Sequence, residues 1–335
     1  MTDVMTPLSL ADEPLFGLPL PELWFALVFA VFGTFLFLDG FDFGVGALFA
    51  TRRTDAQREQ LLAAIGPFWD GNEVWLVVFG GMLFAVFPSV YADLFSRHYL
   101  LMFAILGALI LRGLAPEMYE QRHDEEWQRR WGQAFVVGSV TAPFFLGVFV
   151  GNWLFGVAGV ASVASVLTGL AVVALTVVDG AVYLGLKTRG DVQLEARPLG
   201  YLAQAAYLVL AVAALVVGSG SAPHVELFSL PTLGLLGLTV LLAVGHVVAG
   251  RLDRPYLAFV AVAGQVYGLV ALVATLLFPL VDPVTGLTVG DAIVSTLPLN
   301  LSSIGAAFLL PLVVTYFVVL YSAFSGPVEE NESYA

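Results

Sequence analysis

Cysteine is missing from all 335 residues, which excludes disulfides, thiolate-held metals and cysteine-ligated iron–sulfur clusters in any redox compartment. Lysine occurs once, at Lys187, and charged residues make up only 12% of the chain, where a soluble domain carries about 25%. Histidine is nearly as scarce, at His98, His123, His224 and His246. His123 and His224 fall in predicted loops, His98 opens a predicted helix at its boundary, and only His246 reads as buried. Haem needs an axial ligand presented into a core, so this thin set predicts no haem bound by the chain alone and a His246 hydrogen-bonded to its neighbours. No P-loop, HExxH pair or GxGxxG turn occurs in its required context, which argues against an autonomous ATPase or metalloprotease.

What is abundant is apolar surface: 59% hydrophobic residues, 13% aromatic, mean hydropathy +0.91. Such a chain neither stays disordered nor dissolves as a cytosolic enzyme, and it reads as a polytopic membrane protein. The net charge is −13, which repels nucleic acid and disfavours a polybasic attachment to anionic lipid. Acidic, lysine-poor loops suit a salty cytoplasm.

A membrane-crossing helix needs about 20 mainly apolar residues. Nine stretches qualify, near 22–50, 60–91, 98–117, 132–155, 160–186, 198–218, 229–250, 255–280 and 300–324. The first follows Asp3, Asp12, Glu13 and Glu22 rather than a positive leader, so it is expected to be retained. Alternate loops hold almost all the basic residues: Arg52, Arg53 and Arg58; Arg122, Arg129 and Arg130; Lys187, Arg189 and Arg197; Arg251 and Arg254. Arg97 alone lies on the other side. This bias predicts a cell-membrane protein with its N-terminus outside and its C-terminus in the cytoplasm. Leu38-Asp39-Gly40 and Val178-Asp179-Gly180 repeat an apolar-Asp-Gly step in spans one and five, which suggests two parallel four-helix units and a ninth helix. The expected division is an outer N-terminal segment (1–21), a first bundle (22–156), a second bundle (157–280), an outer loop (281–299), a ninth helix (300–324) and an acidic tail (325–335). The tail's Glu329-Glu330-Asn331-Glu332 reads as disordered.

Charges inside apolar helices are costly and tend to line cavities or meet partners. Asp39 and Asp42 lie in span one, Asp70 and Glu73 in span two, Arg112 in span three and Asp179 in span five. At 1.5 Å per residue, Asp42 and Asp70 lie roughly 12 and 15 Å from the inner ends of their spans, and Arg112 about 7–8 Å. Asp42, Asp70 and Arg112 are therefore expected to converge in the inner half. The i,i+3 spacing places Asp39 with Asp42, and Asp70 with Glu73, on shared helix faces. Paired carboxylates in low dielectric call for a proton, a cation or Arg112 as compensation. Proton or cation handling is one reading of the set, and a buried Asp–Arg pair that fixes helix register is another. An ion-coupled secondary transporter with midplane carboxylates is the rival from a different class.

The stretch Leu38-Asp39-Gly40-Phe41-Asp42-Phe43-Gly44-Val45-Gly46, followed by Gly66-Pro67-Phe68-Trp69-Asp70-Gly71-Asn72-Glu73-Val74-Trp75-Leu76, resembles subunit II of the cytochrome bd quinol oxidases. Leu111-Arg112-Gly113, Gly151-Asn152, Val178-Asp179-Gly180 and Leu299-Asn300-Leu301 extend the likeness over nearly the whole chain. The resemblance implies a nine-helix fold and a haem-bearing partner, subunit I, that handles quinol and oxygen, with a small accessory subunit in some complexes. It also implies that this subunit is haem-free, aids assembly and conducts cytoplasmic protons toward oxygen reduction. The matching positions are Asp42, Asp70 and Arg112, with Glu117 near the inner mouth and Glu73 beside Asp70. In the implied relay Glu117 or water collects a proton, Asp70 passes it inward, and Arg112 with Asp42 tunes it. Some relatives hold a cation beside the aspartates, which makes Asp42, Asp70 and Arg112 a candidate cation site, and some hold a structural quinone. Gly113-Leu114-Ala115-Pro116 departs from the usual pattern, and Gln121 stands where some relatives have a basic residue.

Overall fold

The computed structural model describes residues 7–328, with side chains from Leu10 onward. The acidic stretch 329–332 lies outside the described residues. A short α1 (Pro7–Asp12) and a turn of 3-10 helix precede α2 (Leu20–Phe49), a 30-residue helix about 45 Å long. Apolar residues surround α2 on all sides, the pattern of a helix buried among others, and it packs on α4, α7, α8 and α11.

The expected second span, 60–91, is three helices rather than one. They are α3 (Asp55–Ile65), α4 (Trp69–Val86) and α5 (Pro88–Arg97). A capping box between Thr54 and Gln57 starts α3, and the chain breaks at Gly66-Pro67, where proline lacks the N–H that would continue the helical ladder. Pro88 opens α5 at the other end of α4 in the same way a proline suits a first helical turn.

The remaining long helices follow the expected order. They are α6 (Tyr99–Glu120), α7 (Glu125–Phe155), α8 (Val163–Lys187), α9 (Asp191–Ser219), α10 (Leu230–Arg251) and α11 (Pro255–Leu277). A two-stranded hairpin, β1 (Leu280–Asp282) and β2 (Leu287–Thr288), and a short α12 (Val289–Ala292) lead into α13 (Thr296–Ala323). Among the described residues eight helices are long and apolar enough to cross a membrane. Asp70, Asn72 and Glu73 set the 18-residue α4 apart from them.

Two repeats found in the sequence touch in space. A Cβ on Gly44 would lie 1.9 Å from the Thr176 carbonyl, and one on Gly180 2.4 Å from the Gly44 carbonyl carbon. Only glycine lets α2 and α8 approach this closely.

The helix ends divide into two groups. At one, Arg52 pairs with Glu195, Arg197 with Asp253, and Lys187 donates to the Phe324 carbonyl. At the other, Arg97 pairs with Asp282, and the Trp153 indole donates to the Val281 carbonyl at 2.7 Å. α13 is the most peripheral long helix: within it only Leu299 and Asn300 are buried. It is pinned by Asn300, whose Nδ2 donates to the Leu10 and Glu13 carbonyls, and by Ser303, which accepts from the Trp24 indole.

Candidate functional site

Arg112 is buried in α6 beneath a set of acids. Its Nη2 lies 2.7 Å from Asp39 Oδ1 and 3.5 Å from Asp42 Oδ2, and its Nη1 lies 3.3 Å from Glu73 Oε2. The Asp39 approach is a charge contact without hydrogen-bond alignment, since both Asp39 oxygens lack a hydrogen-bond donor. The guanidinium also sits over the Phe43 and Trp69 rings, 5.0 and 5.5 Å from their centroids, which adds attraction in a desolvated setting. Gly138 of α7 fixes the backbone here, because a Cβ on it would lie 2.5 Å from the Arg112 amide nitrogen.

Asn72 completes the cluster. Fully buried, it donates Nδ2 to Asp42 Oδ2 at 2.9 Å and to the Leu38 carbonyl at 3.1 Å. Its Oδ1 accepts the Tyr321 hydroxyl at 2.8 Å. Asp179, the second-repeat acid, is fully buried on α8, and neither oxygen has a hydrogen-bond partner. It faces α2 at Gly40, where an added Cβ would lie 3.2 Å from its Oδ2.

The structure thus joins Asp42, Arg112 and Glu73 of the expected residues and adds Asp39 and Asn72. Asp70 is not in the set. It is exposed in the first turn of α4, and two residues at about 100° each turn it about 200° away from Asn72, which faces α2. The acids that meet Arg112 are Asp39, Asp42 and Glu73, while Asp70 stays at the surface, so the candidate cation trio of Asp42, Asp70 and Arg112 does not converge. The guanidinium itself stands between the acids. Among the described residues no three His, Asp or Glu side chains are grouped to hold a metal ion. Glu117 is exposed on the last turns of α6, and Glu120 beside it is half-buried.

Sequence reasoning missed the burial of His98. Its ring sits edge-on to Phe149 with both nitrogens unpartnered, because α7 covers what reads locally as a helix boundary. His246 is buried as expected, with Nδ1 on Gln204 Oε1 at 2.9 Å. Asn72 and Tyr321 were missed as site members; Asn72 lies inside a quoted motif, whereas nothing marks Tyr321.

Three carboxylates around one guanidinium carry excess negative charge unless a proton or another cation joins them. Chemically the cluster suits charge storage and proton handling, with Glu73, about one-third exposed at its side chain, linking the exposed Asp70 side to the buried Arg112.

Fold and cluster together define a predominantly helical, multi-pass membrane protein with an ionic centre held between its first helices. Over residues 20–324 the chain matches the family described as cytochrome bd terminal oxidase subunit II, and it belongs to that family. It is therefore a subunit of an oxidoreductase complex of respiratory electron transport, and a second subunit implies a first as partner. The cytochrome bd ubiquinol oxidase subunit 2 of Bacillus subtilis is 33% identical, covering 93% of this chain and 98% of the relative. The cytochrome bd-I ubiquinol oxidase subunit 2 of Escherichia coli K12 is 28% identical, covering 92% and 95%. A solved structure of bd oxidase from Geobacillus thermodenitrificans shares the fold, with TM-score 0.74 and 20% identity over 92% of this chain and 99% of that one.

Proposed function

We propose that this chain is the haem-free subunit of a quinol:oxygen oxidoreductase and delivers cytoplasmic protons to a haem-bearing subunit I, which it also helps to assemble. The observation that carries the reading is the Glu73–Arg112–Asp39/Asp42 ion cluster, which runs from a partly exposed acid to fully buried ones. Glu117, or water beside it, gathers protons at the basic end of the molecule. Asp70 and Glu73, one turn apart on α4, pass them inward, and Arg112 with Asp42 stabilises the arriving charge. The long helices with α4 form nine spans in two four-helix bundles plus α13, with the N-terminus outside and the C-terminus in the cytoplasm, in keeping with the basic loops.

The bonds of two histidines support the haem-free assignment. His246 commits Nδ1 to Gln204, and His224 Nε2 is tied to the Leu154 carbonyl. The apolar cavity of about 160 Å³ between α7, α8, α9, α10 and α11, with Tyr207 in its wall, has the lining that the isoprenoid part of a structural quinone requires. Family membership leaves the carrier reading without support.

The test is oxygen consumption by complexes carrying Asp70→Asn, Glu73→Gln or both, with haem spectra reporting assembly. Turnover is expected to fall roughly tenfold or more in assembled complexes, since a positioned proton-transfer group commonly contributes about a hundredfold or above. Full turnover of the assembled double variant would overturn the relay.

A further inference from the structure

A small cleft of about 30 Å³ opens between α8, α9, α10 and α11 at the end where the basic loops meet. Arg197, Tyr201, His246 and Arg254 line it. Arg254 is exposed and makes no ion pair among the described residues, and neither does Arg251 at the end of α10. Arg197 pairs with Asp253 at 2.7 Å, so the rim keeps a surplus of positive charge. This is a local feature of a chain whose overall charge is −13, and it differs from a diffuse polybasic surface.

Tyr201 and His246 bring hydrogen-bonding groups into a lining otherwise made of small and apolar residues and the two arginines. The Tyr201 hydroxyl lies against Gly250, where an added Cβ would come within 2.4 Å of it, and it makes no hydrogen bond among the described residues. Behind it, Gln204 and Gln265 bond each other, Nε2 to Oε1 at 2.8 Å and back at 3.2 Å. That exchange turns Gln204 Oε1 toward His246, so His246 Nδ1 donates. In the neutral ring Nε2 is then an acceptor, suited to a headgroup hydroxyl. Leu252, Tyr256 and Leu257 are exposed beside Arg254, and Val244 and Val248 on the outer face of α10, an apolar flank with an interfacial tyrosine, as found where acyl chains meet headgroups.

We propose that this cleft binds the phosphate of an anionic phospholipid between Arg197, Arg254 and the Tyr201 hydroxyl, with the acyl chains lying along the exposed apolar face of α10. A free phosphate would use the same arginines but not the apolar flank.

Native mass spectrometry of the detergent-extracted complex tests this with phosphatidylglycerol, phosphatidylcholine and inorganic phosphate as probes. Phosphatidylglycerol should be retained in preference to phosphatidylcholine. Arg254→Gln should weaken its retention about fivefold, the ordinary effect of one arginine near a lipid phosphate, and Arg254→Lys should keep most of it. Arg254 has no ion pair to lose, so its variants leave the fold intact, with the haem spectrum of the complex as the check. Equal retention of the two lipids, or unchanged retention in Arg254→Gln, overturns the proposal. So does displacement of phosphatidylglycerol by inorganic phosphate at equal concentration, because the apolar flank would then contribute nothing.

Discussion

Asn72 stands between Asp42 and Tyr321, donating to the carboxylate at 2.9 Å and accepting the phenol at 2.8 Å. One amide thereby ties α2, α4 and α13 together and supplies Asp42 Oδ2 with a neutral donor beside the Arg112 charge. Its loss leaves a buried carboxylate oxygen and the Leu38 carbonyl without that partner, which costs about 1–3 kcal/mol. Asn72→Ala should therefore lower the thermal midpoint of the purified complex clearly. Tyr321→Phe should do so less, because the ring still stacks on Phe68 at 4.5 Å and only one hydrogen bond is removed. Equal losses in the two variants would mean that α13 docking, rather than the Asn72–Asp42 bond, is what the amide secures.

Arg112 is the only cation in contact with Asp39, Asp42 and Glu73 among the described residues. Arg112→Gln strands buried negative charge, and breaking a buried pair from one side costs about 3–5 kcal/mol. Yield of assembled complex should fall sharply. Adding Asp39→Asn removes part of the uncompensated charge and should restore yield, whereas the same change in the wild-type background should cost stability by leaving Arg112 with fewer partners. Additive losses in the double variant, read by haem content per membrane protein, would reject charge balance as the function of the arginine.

These elements differ in how visible they are in the sequence. The long helices are plain because lipid demands about 20 apolar residues in a row. Asp39, Asp42 and Arg112 are conspicuous because a charge in such a run is costly. The split of the second span is harder to see, since apolar residues continue on both sides of Gly66-Pro67 and hydropathy averages across the break. Residues two apart, such as Asp70 and Asn72, face opposite ways on any helix, but which of them points inward is decided by how α4 packs on α2. Tyr321 reaches Asn72 across 249 positions from an apolar helix with no charge anomaly, and His98 is covered by a residue of α7. Both follow from tertiary packing alone.

The Gly44–Gly180 contact makes a steric prediction with an internal control. Gly44→Ala would drive a methyl group into the Thr176 carbonyl, 1.9 Å away, and separate α2 from α8, whereas a Cβ at Gly80 or Gly81 meets nothing within 4 Å. Gly44→Ala should reduce the amount of assembled complex and raise protease sensitivity in the loops around Arg52 and Lys187. Gly81→Ala should be neutral or gain up to about 1 kcal/mol, because alanine favours helix where space allows. Comparable yields of Gly44→Ala and Gly81→Ala would show that the two repeats need not touch.

Arg97 grips Asp282 with two bonds, Nη1 to Oδ1 at 3.0 Å and Nη2 to Oδ2 at 2.9 Å, and the Thr285 hydroxyl donates to Oδ2 at 2.8 Å. Burial alone would raise the Asp282 carboxyl, but the bonds from Arg97, Thr285 and the Val284 amide outweigh it and hold the group below its ordinary value of 3.8. A carboxyl held low in the folded state contributes stability that is complete above its unfolded value and disappears as pH falls through the folded value. The hairpin that joins α11 to α13 should therefore loosen only at strongly acid pH, below the usual carboxylate range. Asp282→Asn should cost stability at neutral pH and flatten the dependence of the thermal midpoint on acidification. Arg97→Ala should cost more, about 3–5 kcal/mol, by leaving the buried carboxylate unpaired. An acid limb that keeps its full slope in Asp282→Asn would place the pH sensitivity in another group.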